Sequence, residues 1–133
     1  MIQSNMTSVA RRLTRMAVAD FLKRFKQYAE KDGMVVFARS EYVSTLAALG
    51  ILPRDAEEII LGLVPADYYQ GIGPGNRDRE EICEFGTHIG DQEIYIKLLL
   101  DNEHEKACCF SFHEAEREIT YPFADCSESG GAS

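Results

Sequence analysis

A chain of 133 residues, 45% hydrophobic and 27% charged, holds enough apolar material for one core and suits a single domain. No apolar run approaches the ~20 residues of a membrane-spanning helix. The net charge of −8 is unevenly spread, with eight Lys/Arg and four Asp/Glu in residues 1–50 but six and eighteen in residues 51–133. A broad basic footprint of the kind nucleic-acid binders carry is therefore excluded, and any phosphate recognition must be local.

Residues 1–8 are expected to be frayed. Arg11, Arg12, Arg15 and Asp20 interrupt the following apolar stretch, so no signal-peptide core is present and the cytoplasm is the expected compartment. The spacing of Val18, Phe21, Leu22, Phe25, Tyr28 and Ala29 predicts a helix from Val9 to Lys31, with Lys23, Arg24 and Lys26 on its opposite side, which is expected to be solvated. Asp32-Gly33 stops it. Met34 to Ala38 is β-branched and aromatic and predicts a short strand.

Ser40 is the expected N-cap of a second helix, which ends at Leu49 and Gly50 and buries Tyr42, Val43, Leu46 and Leu49. Pro53 opens a third helix with Asp55, Glu57 and Glu58 in its first turns and Ile59, Ile60 and Leu63 as anchors. Val64-Pro65 breaks it, and Pro65 to Tyr69 reads as one further helical turn. Gln70 to Arg79 reads as a mobile loop. Its Gly71, Gly73 and Gly75 do not fit a phosphate-loop spacing, and Pro74 removes a donor amide.

Three long strands follow. Glu80 to Thr87 is the first, facing inward with either Cys83 and Phe85 or Ile82 and Glu84. Gly90-Asp91 makes a tight hairpin into Gln92 to Asp101. There Ile94, Ile96, Leu98 and Leu100 share one face, with Tyr95 and Lys97 on the other. After a turn at Asn102 to Glu105, the last strand places Cys108, Phe110 and Phe112 on one face and Cys109, Ser111 and His113 on the other. Ile119 to Phe123 is a short extended segment, and residues 125–133 are small, polar and expected to be disordered. Segregated helices and antiparallel strands define an α+β class, with N-terminal helices packed on a mostly antiparallel sheet. One domain over residues 1–124 is expected.

Four cysteines without a CxxC pair read as buried free thiols, and no metal site or cofactor is expected. The chemistry concentrates on the face of the last hairpin turned away from its aliphatic side. Metal-free acid–base chemistry at a phosphate needs a base, an acid and cations for the developing charge. A histidine such as His113 suits either proton role. Lys97, or an arginine among Arg39, Arg77 and Arg79, suits the phosphate, and Tyr95 suits a hydrogen bond or a base stack. The bland alternative makes Tyr95 a packing residue, Lys97 a solubiliser and His113 a surface partner of Glu114 and Glu116.

Several runs resemble the MqsR family of toxins. They are Phe-Ala-Arg-Ser at 37–40, Leu-Ala-Ala-Leu-Gly at 46–50 and Ile-Leu-Gly-Leu-Val-Pro-Ala-Asp-Tyr-Tyr at 60–69. Ile-Tyr-Ile-Lys-Leu at 94–98, Phe-Ser-Phe-His-Glu-Ala-Glu at 110–116 and Tyr121-Pro122-Phe123 continue the match, which spans residues 18–123 in order. The resemblance implies a RelE-like fold and the toxin of a bacterial type II toxin–antitoxin pair. The implied activity is metal-independent endonucleolytic cleavage of mRNA, which needs a base for the 2′-hydroxyl, an acid for the 5′-oxygen and cations for the phosphorane charge. The implied partner is a neutralising antitoxin, often with a helix-turn-helix DNA-binding part. Carried over by position, the family's strand tyrosine is Tyr95 and its neighbour Lys97 is kept. The family lysine after Ser-Phe is His113 here, and the lysine after the aromatic turn is Gln70. Catalysis by Tyr95, His113 and Lys97, with Gln70, Arg39, Arg77 and Arg79 binding substrate, is the resulting expectation. The alternative is a catalytically weak interaction module of the same fold that acts by binding a partner chain.

Overall fold

A computed structural model describes residues 7–124; the termini expected to be frayed or disordered lie outside it except for Thr7 and Ser8. Those two belong to the fold, because the Thr7 hydroxyl accepts from the Ala10 amide at 3.0 Å and caps helix α1, Ser8–Asp32. Gly33 ends α1 with φ of +82°, where a Cβ would be strained, and its amide donates to Ala29 O. Strand β1 is only Met34–Val36. Helix α2 runs Arg39–Leu49 and α3 Pro53–Leu61. A single 3-10 turn, Pro65–Asp67, leads into the strands β2 (Tyr68–Pro74), β3 (Glu80–Ile89), β4 (Gln92–Asp101) and β5 (Lys106–Glu114).

The five strands form one sheet in the order β1-β5-β4-β3-β2. Only β1 pairs in parallel, with β5; every other pair is antiparallel. The architecture is α+β, as the segregated sequence pattern predicts. Val18, Phe21, Leu22, Phe25 and Ala29 of α1 pack with Tyr42, Leu46, Ala56 and Ile60 of α2 and α3 against one face of the sheet. That face presents Cys83, Phe85, Ile94, Ile96, Leu98, Leu100 and Phe112, nearly all inaccessible to solvent. Burial of each such side chain contributes roughly 1.5–3 kcal/mol, so this single layer dominates stability.

Four sequence expectations need correction. Ser40 lies inside α2 rather than capping it; Ala38, in the left-handed region at φ of +51°, makes the sharp entry. Val43 is 55% exposed and does not join the buried stripe of Tyr42 and Leu46. Residues Gln70 to Pro74 are not a loop but the irregular edge strand β2, whose two register shifts accommodate Gly71 and Gly73. An edge strand tolerates Pro74 because one side of its ladder needs no partner. Arg24 does not stand on a solvated helix face. Its guanidinium grips both carboxylate oxygens of Glu81 on β3, while Asn102 Nδ2 donates to Glu81 Oε2 at 2.7 Å and Tyr28 OH to Asn102 Oδ1 at 2.7 Å.

The fifth correction decides the site. Lys97 is opposite Ser111, but Leu98 is opposite Cys109, so Phe110 is an extra residue in a β-bulge. Alternation therefore slips by one along β5. Ala107, Cys109 and Phe112 face the core, whereas Cys108, Phe110, Ser111 and His113 fall on the open face or its rim.

Cys83, Cys108 and Cys109 are buried free thiols, as expected. Burial pushes the Cys108 thiol up to about 11 and that of Cys109 up to about 12.

Candidate functional site

The open face of the sheet carries alternate residues of β3 and β4, among them Ile82, Glu84, Tyr95, Lys97 and Leu99, none of which joins the core. Near its Gly86 end lies a cleft of about 300 Å³. Its floor is Glu84, Tyr95 and His113; its walls come from Tyr69 and Gln70 of β2 and from the segment 115–119.

Pairing brings the floor together. Tyr95 is directly opposite His113 across β4 and β5, and their ring centroids are 5.2 Å apart. Tyr95 OH donates to Glu84 Oε1 at 2.8 Å, and Gln70 Nε2 donates to the same oxygen at 3.1 Å. Glu84 Oε2 accepts nothing among the described residues and lies against Gly71, where a Cβ would stand 2.4 Å away. Gly71 has φ of +81°, so its glycine is required twice over.

Burial and the Glu84 carboxylate together push the Tyr95 phenol well above its ordinary range, so it stays protonated and acts as a donor. His113 Nδ1 is 2.9 Å from Glu114 O. A carbonyl only accepts, so Nδ1 carries the hydrogen, and Nε2 holds the lone pair of the neutral ring.

The remaining wall is a strap, residues 115–123, that leaves β5 and lies across the sheet end. Its anchor is Glu93 on β4, whose Oε1 accepts from the Ile119 amide at 3.1 Å and whose Oε2 accepts from Tyr121 OH at 2.8 Å. Gly86 lets the strap settle, because a Cβ there would come within 2.7 Å of both Ile119 Cδ1 and Tyr121 OH. Phe123 then stacks on Tyr68 at 5.5 Å, fully buried. The strap brings exposed Arg117 to the cleft, where it makes no ion pair among the described residues.

The cleft thus unites an acceptor oxygen, an imidazole, a phenol donor and a guanidinium. Of the residues expected from sequence, Tyr95, His113 and Gln70 meet there. Lys97 is on the same face but lines a neighbouring depression, with Nζ 5.3 Å over the Phe110 ring. Arg77 lines that second depression. Arg39, at the start of α2, and Arg79, whose carbonyl accepts from the Asn102 amide, line neither. Sequence reasoning missed Glu84 and Arg117. Glu84 was legible once β3 was oriented with Cys83 and Phe85 inward; Arg117 sits between Glu116 and Glu118 in a segment without periodicity. Among the described residues no cluster of His, Cys, Asp and Glu is arranged to hold a metal ion, and no helix is long and apolar enough to cross a membrane.

No family model, curated protein or solved structure matches this chain.

Proposed function

We propose that the chain is a metal-independent endoribonuclease, the mRNA-cleaving toxin of a type II toxin–antitoxin pair with a RelE-like fold. The observation that carries the reading is the pair of proton-handling groups across Tyr95. Glu84 offers the uncommitted Oε2, and His113 offers Nε2, both in one cleft. The sequence resemblance to MqsR-family toxins supports the toxin context, a neutralising antitoxin as partner and a cytoplasmic site of action.

In this reading Glu84 accepts the 2′-hydroxyl proton as the 2′-oxygen attacks phosphorus. His113, protonated at Nε2, gives a proton to the departing 5′-oxygen. The products are a 2′,3′-cyclic phosphate and a 5′-hydroxyl. Arg117 balances the negative charge of the phosphorane, and Tyr95 fixes the Glu84 carboxylate through its hydrogen bond. Removing either proton-handling group costs about 10²–10⁴ in rate.

The test incubates purified chain with RNA in EDTA and maps the ends formed. His113→Ala and Glu84→Gln should each lose cleavage while staying folded, and a single 2′-deoxy substitution at the cut site should block it. Unaltered cleavage in both variants refutes the assignment. The second reading, a partner-binding module, is favoured by the acidic balance of the cleft, where Glu84 and Glu116 face one arginine. It is the conclusion if folded wild type neither cuts RNA nor arrests growth.

A further inference from the structure

Beside the cleft, a second depression of about 280 Å³ runs along the open face towards β1. The bulge in β5 turns Phe110 outward, leaving it 40% exposed, and Phe37 beside it is 42% exposed. The two rings meet edge to face at 5.2 Å. Phe37 is held in place by its amide, which donates to Cys109 O at 2.9 Å, and by the left-handed turn at Ala38 that follows.

Two cations, Lys97 and Arg77, and two carboxylates, Glu80 and Asp101, surround the rings. Lys97 Nζ stands over the Phe110 ring and makes no ion pair among the described residues. The Arg77 side chain is 83% exposed and pairs only loosely with Glu80, Nε to Oε2 at 3.9 Å. The two carboxylates of the depression are committed locally. Glu80 Oε1 accepts from the Arg77 amide, and Asp101 Oδ1 accepts from the Glu103 and His104 amides. Two exposed aromatic rings flanked by the unpaired Lys97 and by the exposed, loosely paired Arg77 match the surface that binds an unpaired nucleotide, with a ring for the base and a cation for the phosphate. Lys97 is two residues along β4 from Tyr95, roughly 7 Å away, so a strand leaving the cleft passes Lys97 next.

We propose that Phe110 and Phe37 form a stacking platform for a base of single-stranded RNA lying beside the scissile nucleotide, with Lys97 and Arg77 on its phosphates. The proposal rests on the ribonuclease reading of the cleft. It makes Lys97 a substrate-holding residue rather than a proton-transfer group. Because every base has a π-face, the platform is tolerant of sequence and extends the footprint along the strand.

The test measures fluorescence anisotropy of a 2′-O-methyl RNA decamer, which binds but lacks the attacking hydroxyl. Phe110→Leu keeps apolar bulk at the bulge and should bind about tenfold more weakly, whereas Phe110→Trp should restore affinity. Lys97→Gln should weaken binding and lower the salt slope by about one. Wild-type RNA cleavage is followed in parallel. Cleavage with an unchanged decamer affinity in Phe110→Leu overturns the platform and leaves the ribonuclease reading intact. Decamer binding that depends on Phe110 in a wild type that cuts no RNA keeps the platform and removes the ribonuclease reading. If Phe110→Leu changes sedimentation of the free chain and not decamer affinity, the face belongs to a second copy and the proposal falls.

Discussion

Gly86→Ala probes the strap and the cleft together. Gly86 is opposite Tyr95 on the open face, and its φ is not in the left-handed region, so alanine meets no backbone strain. In an unobstructed site the change would stabilise by about 0.4–1 kcal/mol through the unfolded chain. Here the new methyl lies 2.7 Å from Ile119 Cδ1, 2.7 Å from Tyr121 OH and 3.1 Å from Ile119 Cγ2. Ile119 Cδ1 is a side-chain tip that can turn aside. Tyr121 OH is pinned to Glu93, and Ile119 Cγ2 moves only if χ1 of a β-branched side chain turns, which is stiff. Overpacking of this kind costs about 1–3 kcal/mol, so the net effect is a loss of about 1–2 kcal/mol. For a chain of this size that lowers Tm by about 4–8 °C. Displacement of the strap also moves Arg117, so cleavage should fall more than stability. Ile119→Val removes Cδ1, and the double variant should recover part of the loss as a measurable coupling. Thermal unfolding by circular dichroism and cleavage rate are read on the four proteins. A Gly86→Ala chain at least as stable as wild type, with unchanged cleavage, refutes the seated strap.

The Arg24 guanidinium holds the Glu81 carboxyl below its ordinary value of 4.5. A carboxyl depressed in the folded state stabilises fully above 4.5, and that contribution is lost as pH falls through the lower folded value. Glu81→Gln should therefore cost about 1–2 kcal/mol at pH 7 and flatten the acid side of urea-unfolding stability; parallel curves would exclude the clamp. Leu46→Ala should cost about 2–5 kcal/mol and Val43→Ala within about 0.5, because only Leu46 faces the core. Urea midpoints decide this, and equal losses would contradict the orientation of α2. Tyr95→Phe should change stability by less than about 1 kcal/mol, since Gln70 still donates to Glu84, yet slow cleavage at least tenfold. An undiminished rate would reduce Tyr95 to packing.

What the sequence disclosed follows from where its periodicity is clean. Alternation in Ile94, Ile96, Leu98 and Leu100, with a tight turn on each side, determined the β3–β4–β5 meander and put Tyr95 beside His113. The same logic failed on β5 because Ala107 to Phe110 is apolar at every position, so a one-residue slip leaves no trace in the pattern. It failed on β2 because Gly71, Gly73 and Pro74 are poor strand residues, tolerated only at a bulged sheet edge. Glu84 stayed ambiguous because Ile82 and Cys83, on opposite faces of β3, are both apolar. Arg39, Arg77 and Arg79 were interchangeable candidates in the sequence, and Arg117 was not among them. Tertiary packing alone separates Arg117, carried to the cleft by the strap, from Arg39 and Arg79, which line neither depression.

The parallel β1–β5 pair also orders the assembly of the sheet. The β3–β4 and β4–β5 hairpins close through short turns, whereas Met34 meets Ala107 only after most of the chain is gathered. During synthesis α1, α2 and α3 emerge before any long strand exists, and Val18, Phe21 and Phe25 have no sheet to cover. The chain is therefore expected to become compact late, when β4 and β5 arrive, with the β1 edge next to Phe37 the last part of the sheet to close.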